Sequence, residues 1–103
     1  MRQESNMYAV IFRARTRELD ESYARTAASL RALALESFGC LEFVSVSEGP
    51  DEISISYWLD EASIRAWKEH AEHRLAQAMG RDKWYERYCV QVVEVMREYA
   101  FPE

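Results

Sequence analysis

The sequence predicts an α+β fold: a four-stranded antiparallel sheet with helices on one side, in the β-α-β-β-α-β order of the ferredoxin-like arrangement. Three observations lead there. The apolar run at residues 7–14 precedes a stretch whose apolar residues recur at helical spacing. Two alternating runs, residues 41–47 and 53–59, flank the turn signal Glu48-Gly49-Pro50-Asp51 and read as a hairpin. A second helical stretch from Asp60 then leads into a last alternating run at residues 89–99.

Residues 7–14, MYAVIFRA, are apolar on both faces and read as a central strand covered on two sides. Asp20 or Glu21 starts the first helix, placing an acidic group near its positive end. Tyr23, Ala27, Leu30 and Ala34 form its inward stripe. Gly39 ends it, because glycine takes the left-handed terminal conformation without a Cβ penalty. In the strand after the turn, alternation puts Ile53, Ile55, Tyr57 and Leu59 on one face and Ser54, Ser56 and Trp58 on the other. Asp60 is the expected N-cap of the next helix, its carboxylate accepting from the free amides of the first turn. Ile64, Trp67, Ala71, Leu75 and Ala78 make the inward stripe of that helix. Gly80 marks a break, and a short turn carrying Trp84, Tyr85 and Tyr88 follows.

In the last strand Val93 and Val95 alternate with Val92 and Met96, so both faces call for burial. Helices cover one face, and face-to-face dimerisation is expected to cover the other. The chain has 103 residues, 49% of them hydrophobic, with three Trp, six Tyr and four Phe. That is a heavy apolar load for one domain, which at this size buries roughly two-thirds of its unfolded surface. The net charge of −5 argues against a nucleic-acid partner, which needs a concentrated basic surface. Arg13, Arg15 and Arg17 alternate on one strand face, either as an anion site or as a solvated strand end.

No apolar run approaches the roughly 20 residues that cross a bilayer, so no membrane partner is expected. Residues 1–6 are polar and read as a flexible tail without a signal peptide, attached to a domain over residues 7–101 of a cytoplasmic protein. Cys40 and Cys89 are expected to be reduced and buried. A bridge between them is excluded if their strands lie on opposite sheet edges, since bridged Cα atoms lie within about 7 Å.

Trp67 points inward, either as core or as the wall of a pocket. His70 falls at the border of the stripe. His73 lies in solvent if the helix is unbroken, whereas a break near His70 would turn it towards a pocket. The two imidazoles lack a third ligand, so no metal site is indicated. Nucleophile-elbow, phosphate-loop and dinucleotide signatures are missing.

Tyr57-Trp58, Asp60-Glu61-Ala62, Ala66-Trp67 and His73-Arg74, followed by Gly80, Trp84-Tyr85, Tyr88 and Arg97-Glu98-Tyr99, are similar to the antibiotic biosynthesis monooxygenase domain family. The tail resembles an uncharacterised bacterial branch of it, and the resemblance spans residues 8–101. It implies a dimeric α/β barrel. It also implies oxidation of aromatic substrates with no flavin, haem or metal: an electron-rich substrate loses a proton and its anion reacts with dioxygen. That chemistry needs a dry cavity, a proton acceptor and donors aimed at the developing oxyanion.

The Trp of the family pattern is Trp67, and its Arg position falls near Arg87. Ser63 replaces its Asn and His73 its Tyr. An imidazole, which titrates near neutrality, could still serve as base or donor. In the haem-degrading branch a helical His falls where this chain has Gln77, and the strand Asn is missing. The expected function is therefore a cofactor-independent monooxygenase acting on a small aromatic substrate of quinol or anthrone type. His73, Trp67 and Arg87 would be catalytic, and Trp58, Ser63, His70, Trp84 and Tyr85 would contact the ligand. The alternative is a non-catalytic homodimer of the same fold that binds a small apolar ligand or is purely structural.

Overall fold

The structure, a computed structural model, describes residues 7–77 and 80–103. The expected tail at residues 1–6 and Ala78 of the helical stripe lie outside the described residues. The elements are β1 (Met7–Thr16), α1 (Glu21–Ser37), β2 (Glu42–Glu48), β3 (Asp51–Trp58), α2 (Glu61–Gln77), α3 (Gly80–Trp84) and β4 (Tyr85–Val95). The strands form one antiparallel sheet in the order β2-β3-β1-β4. This is the ferredoxin-like topology that the hairpin and the helical crossovers predict.

The helix boundaries follow their caps. Asp20 accepts from the Tyr23 amide at 3.1 Å, and Asp60 accepts from the Ser63 amide at 2.7 Å. At the far end of α1 the amides of Phe38 and Cys40 both return to the Ala34 carbonyl. Gly39, with φ +85°, makes that reversal possible. α2 runs without a break through the His70 region, so the rephasing that would have turned His73 inward does not occur.

The last strand starts earlier than the alternation suggests. Ala14 pairs with Tyr88 and Thr16 with Tyr85, because β1 is long enough to keep recruiting partners from the aromatic turn.

Register divides the sheet into two unlike faces. Beneath the helices lie Val10 and Phe12 of β1, Phe43 and Ser45 of β2, Glu52, Ser54, Ser56 and Trp58 of β3, and Tyr88 and Val90 of β4. The other face carries Ile11, Val44, Val46, Ile53, Ile55, Tyr57 and Val93. The hairpin therefore turns its serines inward and its aliphatic residues out. Val46 is 63% exposed and Val44 45% exposed, which leaves a bare apolar surface. Cys40 is buried in the core, but Cys89, expected to be buried too, is exposed on this open face opposite Arg13. Both cysteines are free.

The packed core gathers at one end of the layer between sheet and helices. Val10, Ala34, Cys40, Trp58 and Ile64 are buried there, with Tyr8, Phe38, Phe43 and Trp67 against them. Toward the other end, packing stops short of filling the space.

Candidate functional site

That unfilled space is a cavity of about 360 Å³ between the sheet and the two long helices, within the size range of small-molecule sites. It exists because its floor and roof are built from small side chains. Ser45, Ser54 and Ser56 lie below, and Ala27, Ala28 and Ala71 above. Each serine is hydrogen-bonded: the Ser45 and Ser54 hydroxyls lie 2.7 Å apart, and Ser56 Oγ accepts from Trp58 Nε1–H at 2.9 Å. Each serine oxygen in the floor therefore has a hydrogen-bond partner. Ala27, Ala28, Arg31, Lys68 and Glu72 line the cavity and are exposed, so it opens between α1 and α2.

Aromatic rings close both ends. At the core end Trp67 packs against Trp58 and Phe43, with ring centres 5.7 and 5.9 Å away. Its Nε1–H donates to the Leu30 carbonyl at 3.1 Å, which ties α2 to α1. At the other end Trp84 is fully buried, edge-on to Tyr23 at 5.3 Å. Its Nε1–H donates to the Asp20 carboxylate at 3.2 Å. Phe12, Tyr85 and Tyr88 complete that end, with neighbouring ring centres 5.3 to 5.6 Å apart.

One acid-base group stands in the aromatic wall. The Tyr23 hydroxyl donates to Glu52 Oε1, and both residues line the cavity beside Tyr85. Burial first, and this hydrogen bond second, raise the Tyr23 phenol far above its ordinary range. Burial likewise pushes Tyr85 up to about 12, with the Glu52 charge adding to the effect. Both phenols therefore remain protonated donors across the physiological range. Outside the cavity, a hydrogen bond from Lys83, together with the Ser22 hydroxyl, holds Asp20 down to about 2.

The structure brings together some of the residues singled out by the sequence and separates others. Trp67, Trp84 and Tyr85 line the cavity, and Trp58 lies directly behind Trp67. Ser63 is at the α2 N-terminus, close to Gly39 and away from the lining. His70 packs against Phe38 at 5.5 Å, with a buried Nε2 that has no hydrogen-bond partner among the described residues. His73 is exposed on the outer side of the unbroken α2. Arg87 pairs opposite Arg15 on the open sheet face and bonds Glu86 at 3.3 Å. The side chain of Gln77 lies outside the described residues.

β3 begins at Asp51, two residues before the alternating run at 53–59, and that difference adds Glu52 to the strand. Extending the alternation of Ser54, Ser56 and Trp58 back by one step puts Glu52 on the inward face. Among the described residues no three His, Cys, Asp or Glu side chains come together as a metal site.

The chain is 40% identical over 101 residues to the uncharacterised protein YqjZ of Bacillus subtilis, covering 97% of this chain and 89% of YqjZ. The chain belongs to the YqjZ family. No family model matches it. Among solved structures, a candidate antibiotic biosynthesis monooxygenase of Nitrosomonas europaea superposes with a TM-score of 0.72 at 13% identity, covering 99% of this chain and 98% of that one. SnoaB, a cofactor-independent oxygenase of Streptomyces nogalater, superposes with a TM-score of 0.68 at 13% identity, over 96% and 100% of the two chains. Rv0793 of Mycobacterium tuberculosis matches at 0.72 and 16% identity, over 91% and 99%. The YqjZ-family chain thus has the fold of the antibiotic biosynthesis monooxygenase-like proteins.

Proposed function

We propose that this member of the YqjZ family binds a small planar aromatic molecule in the cavity between sheet and helices and oxidises it with dioxygen, without a cofactor. The observation that carries the reading is the cavity: about 360 Å³, walled by Phe12, Phe43, Trp67, Trp84, Tyr85 and Tyr88, with an acid-base pair in its wall. Aromatic walls favour a flat ring through stacking and edge contacts. An apolar chamber whose mouth a bound ring would fill also keeps water from an electron-rich anion. The fold shared with SnoaB supports the same chemistry. Trp67 is the wall residue closest to the family pattern, whereas the exposed His73 and the outward Arg87 leave proton transfer to groups within the cavity.

A partner completes the reading. The open sheet face is proposed to pair with a second copy, and the two free cysteines suit a reducing, cytoplasmic setting. One observation favours a non-catalytic, ligand-binding role. Every indole N–H already has a protein acceptor, so none is left to stabilise an oxyanion.

Oxygen uptake with a panel of hydroquinones and anthrones tests the proposal. Uptake that depends on substrate and is lost in Trp67→Ala is the expected result. Binding without uptake would reduce the protein to a ligand carrier. Neither binding nor uptake would remove both readings.

A further inference from the structure

We infer that Glu52 is the recognition group of the cavity, and that it selects a neutral planar aromatic ligand bearing a hydroxyl, held by a hydrogen bond from that hydroxyl to the Glu52 carboxylate. The inference rests on the proposal that the cavity is a ligand site, and it names the chemistry of the ligand.

An ionised carboxylate only accepts, through two oxygens. Tyr23 donates to Oε1, and among the described residues no other side chain or amide hydrogen-bonds this carboxylate. A carboxylate beside an apolar chamber with spare acceptor capacity is costly unless something donates to it. Water can do so in the empty protein. A ligand that displaces that water must bring a donor of its own or lose affinity. The serines are weaker candidates: Ser45 and Ser54 bond each other, Ser56 accepts from Trp58, and a neutral hydroxyl accepts less strongly than a carboxylate.

Charge then narrows the class. The lining carries two cationic and two anionic side chains, Arg31, Lys68, Glu52 and Glu72. Lys68 and Glu72 neutralise each other at 2.9 Å. Arg31 at the mouth offsets Glu52 within, so the cavity as a whole favours neither sign. An anionic ring would meet the Glu52 charge directly, and a cationic one would have to pass Arg31. A neutral ring with one polar hydrogen avoids both penalties.

The surrounding geometry fixes where that hydrogen must lie. Glu52 sits at the Trp84 end with Tyr23 and Tyr85, whereas Trp67 and Phe43 close the opposite end. The ligand hydroxyl therefore points toward Trp84, and the ring lies over the serine floor. In a reaction the same contact places Glu52 to receive the hydroxyl proton. The substrate O–H bond breaks, an O–H bond forms on the carboxylate, and the electron pair stays on the substrate oxygen.

The test uses 2-naphthol, its methyl ether 2-methoxynaphthalene, naphthalene and 2-naphthoate as probes, with binding read from quenching of tryptophan fluorescence. The wild-type protein should bind 2-naphthol about tenfold or more tighter than the ether, the margin that one charge-assisted hydrogen bond supplies. 2-Naphthoate should bind more weakly than naphthalene. In Glu52→Gln, with an unchanged far-UV spectrum, the preference for the hydroxyl should fall to about threefold or less while naphthalene affinity stays the same. Equal binding of naphthol and its ether to the wild-type protein overturns the inference without need of a variant. So does a preference that survives in Glu52→Gln, or a failure of all four probes to bind. Selective binding without oxygen uptake retains Glu52 as the recognition group and removes only the oxygenase reading. Oxygen uptake with no naphthol preference does the reverse.

Discussion

The indole of Trp84 is fully buried, and its Nε1–H donates to Asp20, the residue that caps α1. One side chain thus links the start of α1, the turn before β4 and the end wall of the cavity. Trp84→Ala is expected to cost about 3–5 kcal/mol in urea denaturation, as large aromatic truncations in cores do. His73 is exposed on α2, so His73→Ala should shift stability by no more than about 0.5 kcal/mol and leave probe binding unchanged. A large effect on turnover would return His73 to the site.

Tyr85 carries a pH signature. Burial pushes its phenol up to about 12, whereas an unfolded tyrosine titrates near 10. The folded state holds this proton more tightly, so the contribution to stability is complete below about pH 10. It declines as pH rises and is lost through about pH 12, for a total of about 3 kcal/mol. Thermal melts from pH 8 to 12 should fall more steeply for the wild-type protein than for Tyr85→Phe. Parallel curves would mean that Tyr85 is more solvated than the structure shows.

At the scale of elements, the ends of α1 and the face of β3 set the site. Gly39 holds φ +85°, and the nearest atom to an added Cβ there is Ser63 Oγ at 3.9 Å. Gly39→Ala therefore meets no clash, and its cost is that of the left-handed backbone alone, about 1–2 kcal/mol in urea. A loss well beyond that would point to a contact the geometry does not contain.

The same elements show what was legible in the sequence. The caps at Asp20 and Asp60, the glycine stop and the hairpin turn are local signals, readable because a few neighbouring residues determine them. The inward stripe through Ile64, Trp67 and Ala71 was readable by its period. Which face of β3 turns inward was not, because Ser54, Ser56 and Trp58 compete with a more apolar set for the helices. Two large facts outweigh local hydropathy there: Trp58 fills the core, and the serines leave room for the cavity. Glu52 lies outside the alternating run at 53–59, because the strand begins at Asp51, inside the turn signal. The spacing of the resemblance that points to Arg87 carries no information about strand parity, and parity sends Arg87 to the opposite face.

The whole molecule has two surfaces with separate uses: a helix-covered face that encloses the cavity and an open face that is bare. Its radius of gyration is 14.7 Å and its longest extent 48 Å, against about 13 Å for the radius of a compact chain of some 100 residues. Beyond β4, Met96, Tyr99 and Phe101 are 81%, 86% and 98% exposed, and so add apolar side chains that the described residues leave uncovered. A second copy on the sheet would cover Val44, Val46, Ile53 and Val93 together, whereas such a contiguous apolar patch is uncommon on a monomer. Ile53, paired with Val46, is 41% exposed, so Ile53→Lys costs the isolated subunit little. In a face-to-face dimer the same lysine would be buried without a partner, at several kcal/mol per copy. Sedimentation of the wild-type protein should therefore give twice the mass of one chain, and Ile53→Lys should give a single chain with an unchanged far-UV spectrum. A wild-type protein that sediments as one chain at micromolar concentration removes the dimer. It leaves the cavity in place, because Trp67, Trp84 and Glu52 stand on the other side of the sheet and need no residue from a partner to enclose a ligand.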